Sequence, residues 1–236
     1  MKTRNVDVAI IGAGSAGMNA RREVEKAGLE PLMIESGHYG TTCARVGCMP
    51  SKLLIAASDI AHEIKGATRF GIEPGNDVKI NGPAVFERVR RERDRFVSFV
   101  IEDIEALPEQ QRLEGTARFT GPTSLIVDDH TEVKANSIVI ATGSSPVIPP
   151  PFNTLREHVL VNDDIFELED IPASIAVIGT GIIGLELGQA LNRLGTNVTL
   201  FNPGNSVGPL SDPEVESRLS ACCGDCFNKS LAAEKV

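Results

Sequence analysis

The feature that most restricts the fold of this chain is a strand, glycine turn and helix unit that occurs twice. In the first copy, Val6-Asp7-Val8-Ala9-Ile10-Ile11 is a short apolar run rich in β-branched residues, suited to a buried parallel strand. It ends in Gly12-Ala13-Gly14-Ser15-Ala16-Gly17, and a helical pattern covers residues 18–27. Gly28 closes that helix, and Pro31–Glu35 reads as the next strand. The second copy begins about 165 residues later, with a strand at Ser174–Ile178 and the turn Gly179-Thr180-Gly181-Ile182-Ile183-Gly184. A helix over residues 185–194, a closing Gly195 and a strand at Asn197–Phe201 complete it. Two such units predict an α/β fold made of Rossmann-like domains.

Each glycine has a physical task. Gly12 permits the tight turn, Gly14 lets a pyrophosphate approach the backbone, and Gly17 lets helix and strand pack closely. The N-terminus of the helix that follows offers free N–H groups and a partial positive charge to phosphates. Glu35 closes the second strand at the spacing expected of a carboxylate that holds a ribose hydroxyl. A glycine-rich turn without a ligand is the bland alternative, and the strand, turn, helix, strand and acid in correct order argue against it. Gly179, Gly181 and Gly184 repeat the pattern, and two dinucleotides are what a hydride relay needs. The second unit ends in Phe201-Asn202 where an acid would ordinarily stand. Asn202 can still bond a hydroxyl, and no arginine directly follows to take a 2′-phosphate, so NAD is expected over NADP.

Between the units lies Thr42-Cys43-Ala44-Arg45-Val46-Gly47-Cys48-Met49-Pro50-Ser51-Lys52. The two cysteines can close a small disulfide loop, and residues 51–64 read as a helix. A thiolate near a helix N-terminus and a lysine is expected to be reactive. Structural cysteines or half of a zinc site are the alternatives, but no second ligand pair stands nearby, and no metal is expected. The net charge of −9 and pI near 5.0 argue against nucleic acid as a partner. No apolar run reaches the length of a membrane span. The first residues lead into a strand without a signal-like segment, so a reducing, cytoplasmic setting is expected, where a cysteine pair is more often catalytic than structural.

The first glycine unit followed at once by this cysteine stretch resembles the flavoprotein disulfide reductases, the pyridine nucleotide-disulfide oxidoreductases that include dihydrolipoyl dehydrogenase. The resemblance extends over residues 6–215. It implies FAD in the first unit and catalytic roles for Cys43, Cys48, Lys52 and Glu186. Cys43 would attack the substrate disulfide, Cys48 would be the charge-transfer thiol beside the flavin, and Lys52 would pair with Glu186. Thr41 stands where the family has a second glycine, and Arg45 where an asparagine is common. The segment Glu114-Gly115-Thr116-Ala117 resembles a family strand along the FAD adenine, and Ala141-Thr142-Gly143-Ser144 a turn beside the FAD. The resemblance thus assigns Gly12, Gly14, Ser15, Gly17, Glu35, Thr42, Lys52, Gly115, Ala117, Thr142, Gly143 and Ser144 to FAD. It assigns Gly179, Gly181, Ile183, Gly184, Glu186 and Asn202 to NAD.

Between these motifs, residues 83–107 read as a helix with an apolar stripe at Val85, Val89, Phe96, Val100, Ile104 and Leu107, a packing face. Alternating patterns at 111–119, 124–128 and 132–134 suggest a small antiparallel β-meander, followed by a buried strand at 137–140. The expected organisation is an FAD-binding domain over 1–148, a partial NAD-binding domain over 149–220 and an atypical tail over 221–236, where Cys222, Cys223 and Cys226 cluster.

Family members are about twice this length, and the resemblance implies that the His-Glu acid–base pair and the homodimer interface lie in the half not matched here. None of His38, His62, His130 or His158 stands in the matching context. The expected activity is oxidation of a small-molecule or lipoyl-domain dithiol through Cys43 and Cys48, with electrons passed by FAD to NAD, slowed by the missing histidine. A non-catalytic nucleotide-binding fragment and an NADH diaphorase are the alternatives; a glutathione or mercuric reductase fits less well.

Overall fold

The computed structural model describes residues 1–75, 78–202, 207, 208 and 210–226. In chain order its elements are β1 (Lys2–Ile11), α1 (Ser15–Lys26), β2 (Pro31–Glu35), α2 (Thr42–Val46), α3 (Cys48–Gly66), α4 (Gly82–Glu105), β3 (Arg112–Glu114), β4 (Ala117–Gly121) and β5 (Ser124–Val127). There follow β6 (Thr131–Ile140), β7 (Ser174–Ile178), α5 (Ile182–Arg193), β8 (Asn197–Phe201) and α6 (Pro213–Cys226). By packing, the chain divides into a unit of Met1–Gly47 with Arg93–Val159, and a unit of Cys48–Glu92 with Leu160–Val236.

The first unit is a six-stranded sheet in the order β3-β2-β1-β6-β5-β4. β3, β2, β1 and β6 are parallel, whereas β5 and β4 join antiparallel. Side chains alternate between its faces with the strand period of two. Ala9, Leu32 and Ile34 pack with Leu125, Val127 and Val133 on one side. Val8, Ile10 and Met33 pack with Ile104 of α4 and Met18 and Val24 of α1 on the other. Burial on both faces is why β1 and β2 read as continuous apolar runs.

The second unit is built on the parallel pair β7–β8. Leu187, Ala190, Leu191 and Leu194 at the α5 end join Leu54 and Ala61 of α3, Phe86 and Val89 of α4, Phe166, Val198 and Leu200 in one core. Lys52 of α3 bonds Glu186 of α5 at 2.5 Å, and Asp59 bonds Arg193 at 2.5 Å. Both helices advance seven residues between these links, so they run side by side in the same direction. Lys65 extends the row by donating to the Arg193 carbonyl at 3.1 Å.

Several elements differ from the sequence expectation. The segment read as the first meander strand divides into β3, which pairs parallel with β2, and β4, which pairs antiparallel with β5. Gly115 makes the break, with φ +138° and no room for a side chain against Asp128 and Val127. The third meander strand and the strand at 137–140 are one element, β6, whose first part pairs with both β1 and β5 and whose last part pairs with β1. The latter part is not buried: Ile140 is 67% exposed.

The α4 stripe is not one packing face either. Val85 and Val89 pack in the second unit's core, Val100, Ile104 and Leu107 in the first unit's, and Phe96 is exposed. α3 starts at Cys48, three residues before the expected Ser51, and α6 continues to Cys226. The rest of the expected tail, 227–236, lies outside the described residues.

Candidate functional site

Parallel pairing gathers the chemistry of the first unit on one sheet edge. The carboxyl ends of β1, β2, β3 and β6 lead into Gly12, Ser36, Gly115 and Ala141. Hydrogen bonds lock these ends together: Gly12 donates to Ile34 (2.8 Å), Ala141 to Ile11 (2.8 Å) and Gly115 to Glu35 (2.9 Å), each at a backbone carbonyl. Thr142 and Ser144, both exposed, and Gly143 follow beside the Gly12 turn. The sequence residues Gly12, Gly14, Ser15, Gly17, Glu35, Gly115, Thr142 and Gly143 are therefore assembled at the crevice where open α/β sheets bind ligands.

The three glycines of the turn are distinguishable. Gly12 has φ +108°, and a Cβ there would overlap the Ala141 carbonyl. A Cβ on Gly17 would overlap the Gly12 carbonyl, so α1 rests directly on the turn. A Cβ on Gly14 would meet nothing within 4 Å. Gly14 is also the N-cap of α1, with no side-chain cap and no acidic residue in the first turn. The helix start is thus open to a phosphate, and these residues fit the pyrophosphate of a dinucleotide.

Glu35 is already engaged: its carboxylate accepts from Ala13 N–H at 2.7 Å and from Gly37 N–H at 2.9 Å. That fixes it beside the glycine turn at the end of β2. Ala117 packs its methyl in the core beside Leu125 and Val127.

Two residues of this region were not singled out from the sequence. Asp128, at φ +46°, accepts from Thr116 N–H at 3.0 Å and holds the Gly115-Thr116 backbone; in sequence it is simply part of an Asp-Asp turn. Tyr39, the only tyrosine, has its phenol pushed above its ordinary value by burial, then by Glu114, against the opposing charge of Arg112, with Glu35 and Glu105 adding to the rise. Nothing in the local string around Tyr39 signals that environment.

The second unit repeats the turn. Gly179 has φ +102° and donates to the Phe201 carbonyl at 2.7 Å. A Cβ on Gly184 would crowd the Gly179 carbonyl, whereas one on Gly181, the N-cap of α5, would meet nothing within 4 Å. Asn202 follows β8 directly and is half-buried. Ile183 is 57% exposed at the start of α5. The second glycine unit therefore has the same open phosphate position as the first.

The two-cysteine stretch falls on a short helix, α2, and the start of a long one, α3. Cys43 lies half-buried in α2, and Cys48, exposed, is the first residue of α3. Both are thiols in this structure. Thr42, exposed, opens α2, and Gly47 approaches its carbonyl closely. Thr41 adopts φ +50°, ψ +146°, a region nearly reserved for glycine, and its hydroxyl accepts from Ala44 N–H at 3.1 Å. Thr41 thus combines a backbone of glycine type with a side-chain cap.

Lys52 finds Glu186 at 2.5 Å, as the resemblance implies. Partial burial works to raise the Glu186 carboxyl, but hydrogen bonds from Lys52 and Ser51 and the Lys52 charge outweigh it, holding the carboxyl below its ordinary value of 4.5. Ser51 was also missed from the sequence. It is buried, and it bonds the Cys48 carbonyl at 3.1 Å. Among the described residues, no group of three or more His, Cys, Asp or Glu is placed to hold a metal, and no helix is long and apolar enough to cross a membrane.

Fold and site together define a protein with two strand, glycine-turn and helix units and a two-cysteine stretch between them. Residues 6–227 match the family model described as pyridine nucleotide-disulphide oxidoreductase, and the chain belongs to that family. It is 34% identical to the dihydrolipoyl dehydrogenase of Thermus scotoductus over 223 residues, 93% of this chain and 46% of that one. It is 32% identical to the mitochondrial dihydrolipoyl dehydrogenase of Pisum sativum, over 90% of this chain and 43% of that one. The HOCl-induced flavoprotein disulfide reductase RclA from Escherichia coli shares the fold, with a TM-score of 0.76 at 23% identity over 93% of this chain and 47% of that one. The chain thus spans about half the length of the relatives it matches.

Proposed function

We propose that this chain carries the flavin- and nicotinamide-binding half of a dihydrolipoyl dehydrogenase-type oxidoreductase, with FAD in the first unit, NAD in the second and Cys43 and Cys48 as the dithiol that exchanges with substrate. The observation that carries the reading is the recurrence of one arrangement, a first glycine at positive φ, an open second glycine and a third crowded against the first one's carbonyl, at Gly12-Gly14-Gly17 and Gly179-Gly181-Gly184. FAD, when bound, supplies a two-electron acceptor between a dithiol and a nicotinamide.

The chain's own residues do the rest. The open N-termini of α1 and α5 take the two pyrophosphates, and Gly14 and Gly181 let them reach the backbone. Glu35 in the first unit and Asn202 in the second stand at the strand ends where ribose hydroxyls are recognised. The lack of an arginine directly after Asn202 supports NAD over NADP. Cys43 is the candidate for attack on a substrate disulfide, and Cys48, at the start of α3, is the thiol on the flavin side. Lys52 holds its charge against Glu186. The substrate class is a small or lipoyl-bound disulfide, and the homodimer of the longer relatives is proposed only for a chain carrying the remaining half.

The test is a visible spectrum of the purified full chain, followed by anaerobic titration with dithiothreitol and then NADH. Flavin absorbance with a long-wavelength charge-transfer band that is lost in Cys48→Ser is the expected result. A colourless protein that takes up no added FAD would overturn the reading. Flavin reduced by NADH equally in wild type and Cys48→Ser, without dithiol turnover, would replace it with a diaphorase.

A further inference from the structure

The second glycine unit is open along one strand edge. Among the described residues, β7 and β8 form a two-stranded sheet. Asn197 donates to the Ala173 carbonyl at 3.0 Å, and Gly179 to the Phe201 carbonyl at 2.7 Å. Main-chain groups of successive strand residues turn to alternate sides, so Ala173, Ile175, Val177 and Gly179 face β8. Ser174, Ala176 and Ile178 therefore turn their N–H and C=O groups to the opposite edge. These three are the exposed residues of the strand, with Ile178 at 51%. The far edge of β8 is different: Val198 and Leu200, whose groups turn away from β7, are 0% and 3% exposed. The open edge of this sheet is that of β7.

The first unit shows what such an edge takes. Ala9 and Ile11 stand three and one residues before Gly12, as Ala176 and Ile178 stand before Gly179. In β1 that edge is covered by a strand. Ala9 pairs with Ile138 and Ile11 with Ile140 of β6, and Ala9 is fully buried. On β7 no strand of the described residues takes that place. Proteins ordinarily protect an exposed edge with a charge, a proline or a bulge. Ser174-Ile175-Ala176-Val177-Ile178 contains no charged residue and no proline.

We propose that this edge pairs with itself, two copies of the chain joining their β7 strands antiparallel about a two-fold axis at Ala176. The pattern is self-complementary. Ala176 is the middle one of the edge-facing residues, so the axis sets it opposite Ala176 of the second copy and sets Ser174 opposite Ile178 on either side. All of these pairs are of the hydrogen-bonded kind, which exchange both bonds, giving about six bonds in all. Two marginal two-stranded sheets become one of four strands. The contact is small beside a standard interface of about 1,600 Å², so the dimer is weak and depends on concentration. It is also closed, because pairing uses up the open edge of each copy. It is independent of the proposed function and distinct from the homodimer proposed for a chain carrying the remaining half.

Sedimentation velocity of the full chain over about a hundredfold range of concentration reads the association. The wild type is expected to pass from monomer to dimer and to stop there. Ala176→Pro removes an N–H that faces the open edge and leaves the bonds to β8 in place, which is where a strand tolerates proline. It is expected to weaken the dimer about tenfold or more, since both bonds of the central pair are lost, with an unchanged circular dichroism spectrum. Ala176→Lys and Ala176→Glu each set like charges directly opposite across the axis, and each alone is expected to sediment as a monomer. An equimolar mixture of the two is expected to associate as a heterodimer.

A wild type that stays monomeric throughout the range would overturn the inference. A dimer unchanged in Ala176→Pro or Ala176→Lys would do the same, as would growth past the dimer into open-ended assemblies. Should Ala176→Pro fail to fold, the charged variants decide: a mixture that stays monomeric shows that position 176 does not meet itself. None of these measurements involves flavin, nicotinamide or thiol. Their failure is therefore distinct from a failure of the proposed function, which the absorbance titration decides.

Discussion

At the scale of single residues, the glycine turns show how one residue type serves two different needs. Gly17 is required by packing, because a methyl there would press into the Gly12 carbonyl and force α1 off the strand. Gly14 is not: its φ of −75° suits any residue, and space surrounds it. Gly17→Ala is therefore expected to lower cofactor-free stability by about 1–3 kcal/mol, the usual range for overpacking. Gly14→Ala should leave the melting temperature unchanged or slightly raised, since it reduces only unfolded-state freedom. It should nevertheless reduce the flavin retained on purification. Thermal melts of the apoproteins alongside flavin-to-protein absorbance ratios check both. Equal melting temperatures for the two variants would show that the third glycine is not the packing contact the structure presents.

Among elements, the parallel run of α3 and α5 is held by an apolar seam and by two ion pairs seven residues apart, Lys52–Glu186 and Asp59–Arg193. The Lys52 side chain is 62% exposed and that of Glu186 27%, so solvent screening keeps the contribution of their pair to roughly 1 kcal/mol or less. Its pH dependence has a definite sign. The Glu186 carboxyl is held below its ordinary value of 4.5, so the folded state gives up that proton more readily than the unfolded state. The stabilisation is complete above the ordinary value and is lost as pH falls through the lower, folded one. Glu186→Gln should thus cost up to about 1 kcal/mol at pH 7 and nothing measurable once pH has fallen below the folded value. Urea melts of both proteins at the two pH values make the comparison. A cost that persists undiminished in acid would mean that packing, not charge, is what Glu186 contributes.

For the molecule as a whole, two glycine turns of the same design sit in two units that each bury their own core. Nucleotide binding in the second unit is then expected to be separable from that in the first. Gly181→Ala, at an open position in α5's cap, should weaken NAD binding about tenfold or more while flavin content stays at the wild-type level. Calorimetric titration with NAD beside the flavin absorbance ratio reads both quantities. Loss of flavin in this variant would show that the two units do not bind independently.

What the sequence by itself determined was whatever depends on a few consecutive residues. The two strand, turn and helix units, the cysteine spacing and the helix that follows it are local, because glycine conformations and apolar periodicity act over a few positions. The family and the α/β class follow from those strings and their order. Tertiary structure alone decided which partners those segments meet. It placed β3 beside β2 and joined the halves of β6 across β1, because strand pairing is made between residues far apart in sequence. It divided the apolar stripe of α4 between two cores, which periodicity cannot distinguish from one. It also set Asp128 beneath Gly115-Thr116 and Arg193 against Asp59. A hydrogen bond depends on where two atoms come to rest, and only the packed fold fixes that.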